Sequence, residues 1–458
     1  MTIRANSAAA RDVAHHLHPY TNLKSLEETG PMVVTEGRGV RVFDENGKDY
    51  IEGLAGLWCT ALGWGEERLV AAAEKAMRRL PFYHSFGGKV PEATVDLAEK
   101  LLSMAPGEMG KVFFANSGSE ANDTAIKIIW YYNNALGRPE KKKIISRIKG
   151  YHGVTVASAS LTGLPNNHRA FDLPIDRIMH TSCPHHYRFG HEGESEEDFA
   201  TRCAEDLDRM IEDEGPDTVA AFFAEPVMGA GGVIVPPATY FDKVQAVLKK
   251  HDVLLLADEV ICGFGRTGNL WGCETFGIKP DMMATAKALS SAYLPISALM
   301  VSDEIYRTVR DQSAEIGLFG HGFTYGGHPV SAAVALETLK IYEERDIVSQ
   351  IQAVAPVLQD GLRRLGGHPL VGEARGVGLI GALELVKDKA TKEAFAPAEG
   401  VGAHVAGRLQ AHGVITRVIV DSIAFAPPLV ISADEINDML GRVEKALDDT
   451  AAWLADRT

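Results

Sequence analysis

Short apolar runs that alternate with helical stretches are the feature that most constrains this chain. Such runs occupy residues 111–115, 143–146, 219–224, 253–257 and 282–285. A strand that is apolar along its whole length is typical of parallel sheets that carry helices on both faces. A helix is predicted over 119–136, between the first two runs. The pattern therefore predicts an α/β fold built on a mostly parallel, doubly covered sheet.

The regions on either side of these runs have a different character. Residues 1–35 carry turn signals and are expected to be irregular, whereas residues 33–52 alternate as a β-hairpin or a small meander does. Amphipathic spacing predicts helices over 66–80 and 91–105, and further strands are expected near 377–386 and 423–426.

A chain of 458 residues is longer than one compact core ordinarily supports. We expect a large domain over residues 61–327. Residues 1–60 and 328–458 are expected to form a second, smaller domain together.

Composition excludes several classes of partner. The net charge of -15 argues against binding to a polyanion such as nucleic acid. No apolar run is long enough for a membrane span, and the N-terminus lacks the apolar core of a secretory signal. The five cysteines are odd in number and form no CxxC pair, which favours free thiols in a reducing cytoplasm.

Residues 116–122 place small and polar side chains between a predicted strand and a predicted helix. Backbone N–H groups at a helix N-terminus bind anions readily, so Gly118 and Ser119 are candidate phosphate ligands. The alternative is an ordinary helix start that is capped by Ser119.

Asp258 and Lys287 each follow an apolar strand. Ligands of open α/β sheets bind at the carboxyl ends of strands, where a carboxylate can keep a ring nitrogen protonated. Asp258 could equally cap a helix. Burial lowers the pKa of a lysine and favours the nucleophilic amine that forms a Schiff base, so Lys287 is a candidate nucleophile. The alternative is a lysine that extends along the surface into solvent.

Two further segments have both a structural and a functional interpretation. Tyr151 and His152 lie between glycines, which suits either a ring stacked on a planar ligand or a core tyrosine in a turn. Arg417 lies in an apolar stretch and requires an anionic partner, either from the protein or from a substrate.

Two other motifs have weaker functional interpretations. Residues 263–268 fit GxGxxG, but the residues that follow predict a loop and not the helix that a dinucleotide site requires. Cys183, His185 and His186 match no tetrahedral ligand set, and we expect them in a surface loop. No metal site is predicted.

Taken together, these segments resemble the class III aminotransferases of the fold type I pyridoxal-phosphate enzymes, in particular the ω-aminotransferases of the amine–pyruvate and β-alanine–pyruvate types. The resemblance extends from Leu57 through Asn116–Asn122, Glu225, Asp258 and Lys287 to residues 427–428. It implies an aspartate-aminotransferase-like fold with a seven-stranded sheet. It also implies transamination with pyridoxal 5'-phosphate, which passes through its pyridoxamine (PMP) form.

The resemblance assigns a role to each matched residue. Lys287 looks like the Schiff-base lysine and proton carrier, and Asp258 like the partner of the ring nitrogen. Tyr151 and Val260 are expected on the two faces of the ring. The expected cofactor contacts are Gly118, Ser119, Tyr151, His152, Glu225, Asp258, Val260, Lys287 and Thr324. The expected substrate contacts are Tyr20, Leu57, Trp58, Phe86, Tyr151, Ala230 and Arg417.

The resemblance also implies partners and assembly. Arg417 is similar to a mobile arginine that binds a substrate carboxylate, and Glu225 to an acidic residue that holds this arginine in an empty site. Thr324 is similar to a threonine that reaches the phosphate of the neighbouring subunit. A homodimer with active sites at its interface is therefore implied, while a tetramer stays open. Small amines, amino acids and keto acids are the expected substrates, with a preference for (S)-amines.

Three residues depart from the pattern of the family. Ala288 and Ala292 stand where many relatives have glycine, and we expect tighter packing beside Lys287. Met228 stands where ornithine and γ-aminobutyrate relatives often have glutamine, which argues mildly against those substrates. Alternative functions are an ornithine, γ-aminobutyrate or diamine aminotransferase, and an aminomutase, racemase or decarboxylase with the same cofactor. More distant ones are a dinucleotide-binding oxidoreductase and a non-catalytic binding protein.

Overall fold

A seven-stranded sheet forms the centre of the computed structural model, which describes residues 3–457. The strands, in chain order, are β1 (Val34–Arg38), β2 (Arg41–Asp44), β3 (Asp49–Glu52), β4 (Met109–Ala115), β5 (Lys143–Arg147), β6 (Ile178–Thr181), β7 (Val219–Ala224), β8 (Leu254–Asp258), β9 (Met282–Thr285), β10 (Ser297–Ser302), β11 (Val371–Val377), β12 (Ile380–Leu385), β13 (Val414–Ile415), β14 (Arg417–Ile419) and β15 (Ser422–Phe425). The order in the large sheet is β4-β10-β9-β8-β7-β5-β6.

The large sheet confirms the predicted fold class. All of its pairings are parallel except the two that β10 makes with β4 and β9. Every residue of β7 is buried, as expected for a strand that is covered on both faces. The sequence did not predict β10, nor the short edge strand β6.

Helices cover the sheet and complete the chain. They span Ala8–His15, Leu23–Thr29, Glu67–Arg79, Glu92–Met104, Gly118–Ala135, Val156–Leu161, His186–Phe189, Glu196–Glu214, Tyr240–Lys250, Gly272–Phe276, Asp303–Ile316, Pro329–Glu344, Ile347–Leu365, Val401–Ala411 and Ala433–Ala455. Within residues 3–457, no helix is both long and apolar enough to cross a lipid bilayer.

The first helices correct the expectation that residues 1–35 are irregular. Ala8–His15 starts at a cap in which Ser7 Oγ accepts a hydrogen bond from Ala10 N, and Leu23–Thr29 starts at a similar cap on Asn22. Neither helix buries a side chain fully, and the two are only eight and seven residues long, which is too short for a helical pattern to be recognised easily in a sequence.

Two smaller sheets lie outside the large one. The first has the order β1-β2-β3-β13, and its last pairing joins the N-terminal β3 in parallel to β13 near the end of the chain. The second is antiparallel, with the order β11-β12-β15-β14. The helix Pro329–Glu344 packs against the helices Glu67–Arg79 and Glu92–Met104.

Candidate active site

An open cleft of about 410 Å³ lies where the parallel strands of the large sheet end. Five of its lining residues come from the segments that follow five different strands. They are Gly118 after β4, Tyr151 after β5, Glu225 after β7, Asp258 at the end of β8 and Lys287 after β9. The strand alternation thus brings together residues that lie far apart in the sequence.

Asp258 is the centre of a buried polar group. Its Oδ2 accepts hydrogen bonds from Asn122 Nδ2 and lies beside His152 Nδ1, both at 2.8 Å. His152 can donate a hydrogen bond to this oxygen from Nδ1. His152 Nε2 is then left buried and without a partner among residues 3–457. Asp258 does not cap a helix; its Oδ1 accepts from Val260 N within a turn.

Lys287 occupies a strained position at the end of β9. Its φ of 49° lies in the left-handed region, which non-glycine residues adopt at a cost. Among residues 3–457 the lysine amine has no hydrogen-bond or ion-pair partner. Burial lowers the pKa of Lys287, and the negative charges of groups such as Asp258 oppose this only in part. The arrangement favours the neutral, nucleophilic amine over a solvated surface lysine.

The start of the helix Gly118–Ala135 forms one end of the cleft. Ser117 and not Ser119 is the cap residue, because Ser117 Oγ accepts from Glu120 N. Ser119 Oγ instead accepts from Val154 N at 3.1 Å. A side chain at position 118 would approach the methyl groups of Val260 to 3.0 Å, so glycine keeps that approach open. The first amides of the helix lack helical partners and can bind a phosphate.

Glu225 holds the wall that carries Tyr151. Its Oε1 accepts from Tyr151 N at 2.9 Å and its Oε2 accepts from Gly229 N at 3.0 Å. Burial raises the pKa of Glu225. The structure does not pair Glu225 with Arg417, in contrast to the prediction; the two Glu225 oxygens accept backbone hydrogen bonds instead.

Two partly exposed side chains, Tyr20 from the N-terminal segment and Arg417 from a small sheet, form the rim of the cleft. Tyr20 is 64% exposed, and its hydroxyl accepts a hydrogen bond from Asn167 Nδ2. The Arg417 guanidinium lies 5.9 Å from the centre of the Tyr20 ring and forms no ion pair within residues 3–457. Leu57 is exposed, whereas Trp58 and Ala230 are buried. All five line the cleft, as predicted.

Phe86 and Thr324 do not line the cleft of their own chain. Phe86 lies on a separate apolar surface, where Gly322 packs against its ring, and Thr324 is exposed two residues farther on. Val95, Leu318 and Phe319 lie on the same surface, around a cavity of about 780 Å³. The two residues could complete a cleft only in another copy of the chain.

Two expectations from the sequence are corrected here. Ala288 is buried, but Ala292 is exposed, so its methyl group adds no packing. Met228 is buried against Cys183 and Ile234 and is not among the cleft residues, which weakens the inference drawn from it about substrates. A third expectation is confirmed, since residues 263–268 form a loop that is not followed directly by a helix.

The expectation that Cys183 and His185 lie in a surface loop is wrong, because both residues are buried. His185 Nε2 lies 2.8 Å from Glu373 Oε2, and Glu384 lies nearby. Arg375 forms ion pairs with both glutamates, at 2.6 and 2.8 Å. This guanidinium supplies the positive charge that a metal ion would otherwise provide.

Asn122 is the site residue whose role the sequence did not suggest. It follows Gly118 by four residues and therefore lies on the same helix face. It is fully buried and donates to both His152 O and Asp258 Oδ2. A polar residue at that spacing from the helix start was the available signal.

Comparisons with known proteins agree with this geometry. Residues 24–447 match the family model described as aminotransferase class-III. The chain is 52% identical over 451 residues to gamma aminobutyrate transaminase 3, chloroplastic, of Solanum lycopersicum, covering 97% of this chain and 87% of that protein. It is 53% identical to the omega transaminase from Pseudomonas jessenii solved in complex with PMP, with a TM-score of 0.97 and coverage of 98% and 99%. A transaminase solved with L-ala is 57% identical, with a TM-score of 0.91 and coverage of 92% and 100%.

Proposed function

This chain belongs to the class III aminotransferases, which use pyridoxal phosphate, and we propose that it transfers amino groups from amines or ω-amino acids to pyruvate or a similar keto acid, with a preference for (S)-amines. One observation carries the assignment of the site. An unpartnered lysine amine of lowered pKa shares one cleft with a buried carboxylate that is held by Asn122 and His152.

The residues of the cleft fit pyridoxal phosphate. Helix-start amides at Gly118 and Ser119 offer N–H donors to a phosphate, and Asp258 offers an acceptor to a protonated ring nitrogen. Val260 and Tyr151 line the same cleft as Gly118 and Asp258 and offer it apolar and aromatic surface for a flat ring. When bound, the cofactor supplies an electron sink for the charge that develops on the substrate carbon.

The side chains of this chain divide the remaining work. The neutral amine of Lys287 would hold the cofactor through its aldehyde, and as a free amine it would remove the proton from the substrate carbon that bears the amino group. The Asp258 carboxylate, whose Oδ2 accepts from Asn122, keeps its negative charge towards the ring. Arg417 offers a planar pair of N–H donors to the carboxylate of the keto acid.

The assignment of the amino acceptor is supported by the transaminase solved with L-ala, because alanine is the aminated form of pyruvate. The choice of donor has two supported candidates. Similarity to an omega transaminase variant engineered for the synthesis of enantiopure bulky amines supports a simple amine as donor. Similarity to the Solanum lycopersicum protein named gamma aminobutyrate transaminase 3 supports that ω-amino acid as donor.

We propose that the active form is a homodimer in which the partner subunit contributes Phe86 and Thr324. The exposed apolar side chains around Phe86, among them Val90, Val95 and Leu318, support this, because neighbouring exposed apolar side chains are typical of interaction sites. Val95→Glu is expected to yield monomers in sedimentation analysis, because it places a charge in that surface. Val34→Glu, at an equally exposed valine of β1, is the control. Dimers that survive Val95→Glu would refute the assignment of this interface.

A cytoplasmic location remains a prediction, since curated relatives include chloroplastic and mitochondrial proteins.

Spectroscopy of the purified holoenzyme tests the function. The visible band of the bound cofactor is expected to fade with (S)-1-phenylethylamine and to return with pyruvate. The (R)-enantiomer is the matched control and should react more slowly. A band that ignores this amine but responds to γ-aminobutyrate would select the second donor class. A protein that binds no pyridoxal phosphate would refute the proposal.

A further inference from the structure

Glu52 is a buried carboxylate that no cation compensates. It ends β3, is 4% exposed and forms no ion pair within residues 3–457. A single oxygen, Oε2, accepts from two backbone amides, those of Leu54 at 3.2 Å and Gly56 at 2.5 Å. Burial raises the pKa of Glu52 to about 7. Burying a carboxyl group is costly unless it is hydrogen-bonded, so the two hydrogen bonds to Glu52 Oε2 are what makes this burial tolerable.

The two amides belong to a strained turn over residues 54–58. Ala55, Gly56 and Trp58 all have positive φ values, of 50°, 69° and 66°. Left-handed backbone is unfavourable for alanine and tryptophan, so such a turn persists only where its surroundings hold it. The hydrogen bonds from Leu54 and Gly56 to Glu52 fix the turn on both sides of Ala55.

This turn carries part of the substrate wall. Leu57 and Trp58 line the cleft together with Lys287 and Arg417. Glu52 also pairs with Ile415 across β3 and β13, two residues before Arg417. Glu52 therefore lies where the Leu57–Trp58 wall meets the segment that leads to Arg417.

We propose that Glu52 is a positioning residue: its carboxyl oxygen fixes the 54–58 turn, and the turn sets how closely Leu57 and Trp58 approach the amine, so Glu52 determines selectivity by donor size. The inference rests on the proposed function, since it assigns a specificity role within the same site. Glu52 acts through the turn and touches no reacting atom.

Two substitutions separate the acceptor from the bulk of the side chain. Glu52→Leu keeps approximate volume and removes the acceptor. Glu52→Gln keeps one oxygen, which can still accept both amides because both bonds end on Oε2. Asp281→Leu is the control: Asp281 Oδ2 also accepts a backbone amide, that of Leu255, but it precedes β9 at the opposite end of the sheet.

The first measurement is kcat and KM for (S)-1-phenylethylamine and for the smaller 2-aminobutane. Glu52→Leu is expected to change the ratio of the two kcat/KM values by about tenfold, mainly through KM, because two hydrogen bonds that fix the wall are lost. Glu52→Gln and Asp281→Leu should leave the ratio close to that of the wild type.

The second measurement is hydrogen–deuterium exchange in the holoenzyme without substrate. The peptide that spans residues 53–59 should exchange faster in Glu52→Leu than in the wild type. In Glu52→Gln its exchange rate should equal that of the wild type. Faster exchange with an unaltered selectivity ratio would overturn the proposal, since Glu52 would then be purely structural. Unchanged exchange would overturn it as well. If Glu52→Leu does not fold, Glu52→Asp takes its place, because it withdraws the oxygen by one carbon and the same changes are expected.

The two measurements keep this inference distinct from the proposed function. A wild-type holoenzyme that reacts with no amine refutes the function. In that case the selectivity role falls with the function, and the exchange data decide only whether Glu52 fixes the turn: protection lost in Glu52→Leu and kept in Glu52→Gln shows that it does, and any other pattern shows that it does not.

Discussion

At the floor of the cleft, three buried residues form hydrogen bonds with one another through their side chains or main chain. At the rim, Tyr20 and Arg417 are partly exposed and have few contacts. The floor consists of Asn122, His152 and Asp258, which are all at least nine-tenths buried. At the rim, Tyr20 is held by Asn167 and lies beside Arg417. The sheet supplies the floor, and the N-terminal segment and the small sheets supply the rim.

The difference separates two properties of the enzyme. Buried, mutually bonded groups have one geometry and suit chemistry that every substrate needs. Partly exposed side chains can change rotamer at little cost, so one pocket can accept both a carboxylate and an apolar group. Substitutions at the floor should therefore affect all substrates, and those at the rim should affect some substrates only.

The largest effect is expected for Lys287→Ala. Transamination should fall by about 10²–10⁴-fold from the loss of proton transfer alone, with every donor. Added methylamine should restore part of the activity, because a small amine can occupy the space of the missing side chain. Lys249→Ala, near the end of the helix Tyr240–Lys250, is the control. A donor-dependent loss at Lys287 would break the separation of floor and rim.

The next largest effect is expected for Asp258→Asn, which keeps the shape of the side chain and removes its charge. Activity should drop by roughly 10²-fold or more with all donors, as for the removal of other preorganised electrostatic groups. The adjacent Glu259 is the matched comparison, because its oxygens accept from the amides of Gly272 and Cys273 and it does not line the cleft.

Glu259→Gln should instead lower the free energy of unfolding by about 1–3 kcal/mol, since one acceptor becomes a donor that faces an N–H group. Steady-state kinetics and denaturant unfolding of both variants make the comparison. Equal kinetic losses would mean that Asp258 contributes through folding alone.

Arg417→Ala tests the rim. The KM for pyruvate should rise by roughly 10–100-fold, since hydrogen bonds between an arginine and a carboxylate are lost, whereas the half-reaction with an uncharged amine should change little. Arg417→Lys should give an intermediate KM, because lysine keeps the charge and loses the planar fork. Equal losses with both substrates would place Arg417 with the floor.

The strands that carry the floor of the cleft could be predicted from the sequence better than the segments around them. The strands β4, β5, β7, β8 and β9 were predicted within two residues or better, because their apolar runs carry the signal themselves. Asp258 and Lys287 follow such strands and were found with them. By contrast, β10 is antiparallel and follows a loop, and the helix Ala8–His15 buries no residue fully, so neither stands out by periodicity.

Contacts between distant segments could not be predicted from the sequence, for a physical reason. The bonds of Glu225 to the amides of Tyr151 and Gly229 depend on how loops from two strands meet, and no local pattern encodes that. The same holds for Arg375, which joins β11 to the carbonyls of Gly232 and Val233. The resemblance to a family supplied residue roles and assigned Thr324 to the neighbouring subunit's site, but it did not place Phe86 outside the cleft of its own chain.

The smallest effect concerns the two alanines that stand where relatives have glycine, just beyond Lys287. Ala292 is exposed and has a φ of 60°, so its methyl group brings backbone strain without packing. Ala292→Gly should therefore raise the free energy of unfolding of the holoenzyme by about 0.5–1 kcal/mol, after the added flexibility of the unfolded chain is subtracted. Activity should stay unchanged, since Ala292 does not line the cleft.

Ala288→Gly should have the opposite sign. Ala288 is 6% exposed and its φ is not positive, so glycine would remove a buried methyl group and lower stability by about 1 kcal/mol. Tyr342 donates to Ala288 O, and that bond survives the change because it involves the backbone. Denaturant unfolding of both holoenzymes measures the two signs. If both variants have a lower free energy of unfolding, packing and not backbone conformation determines the stability of the segment after Lys287. Lys287 would then be held by neighbouring side chains, as the floor residues are.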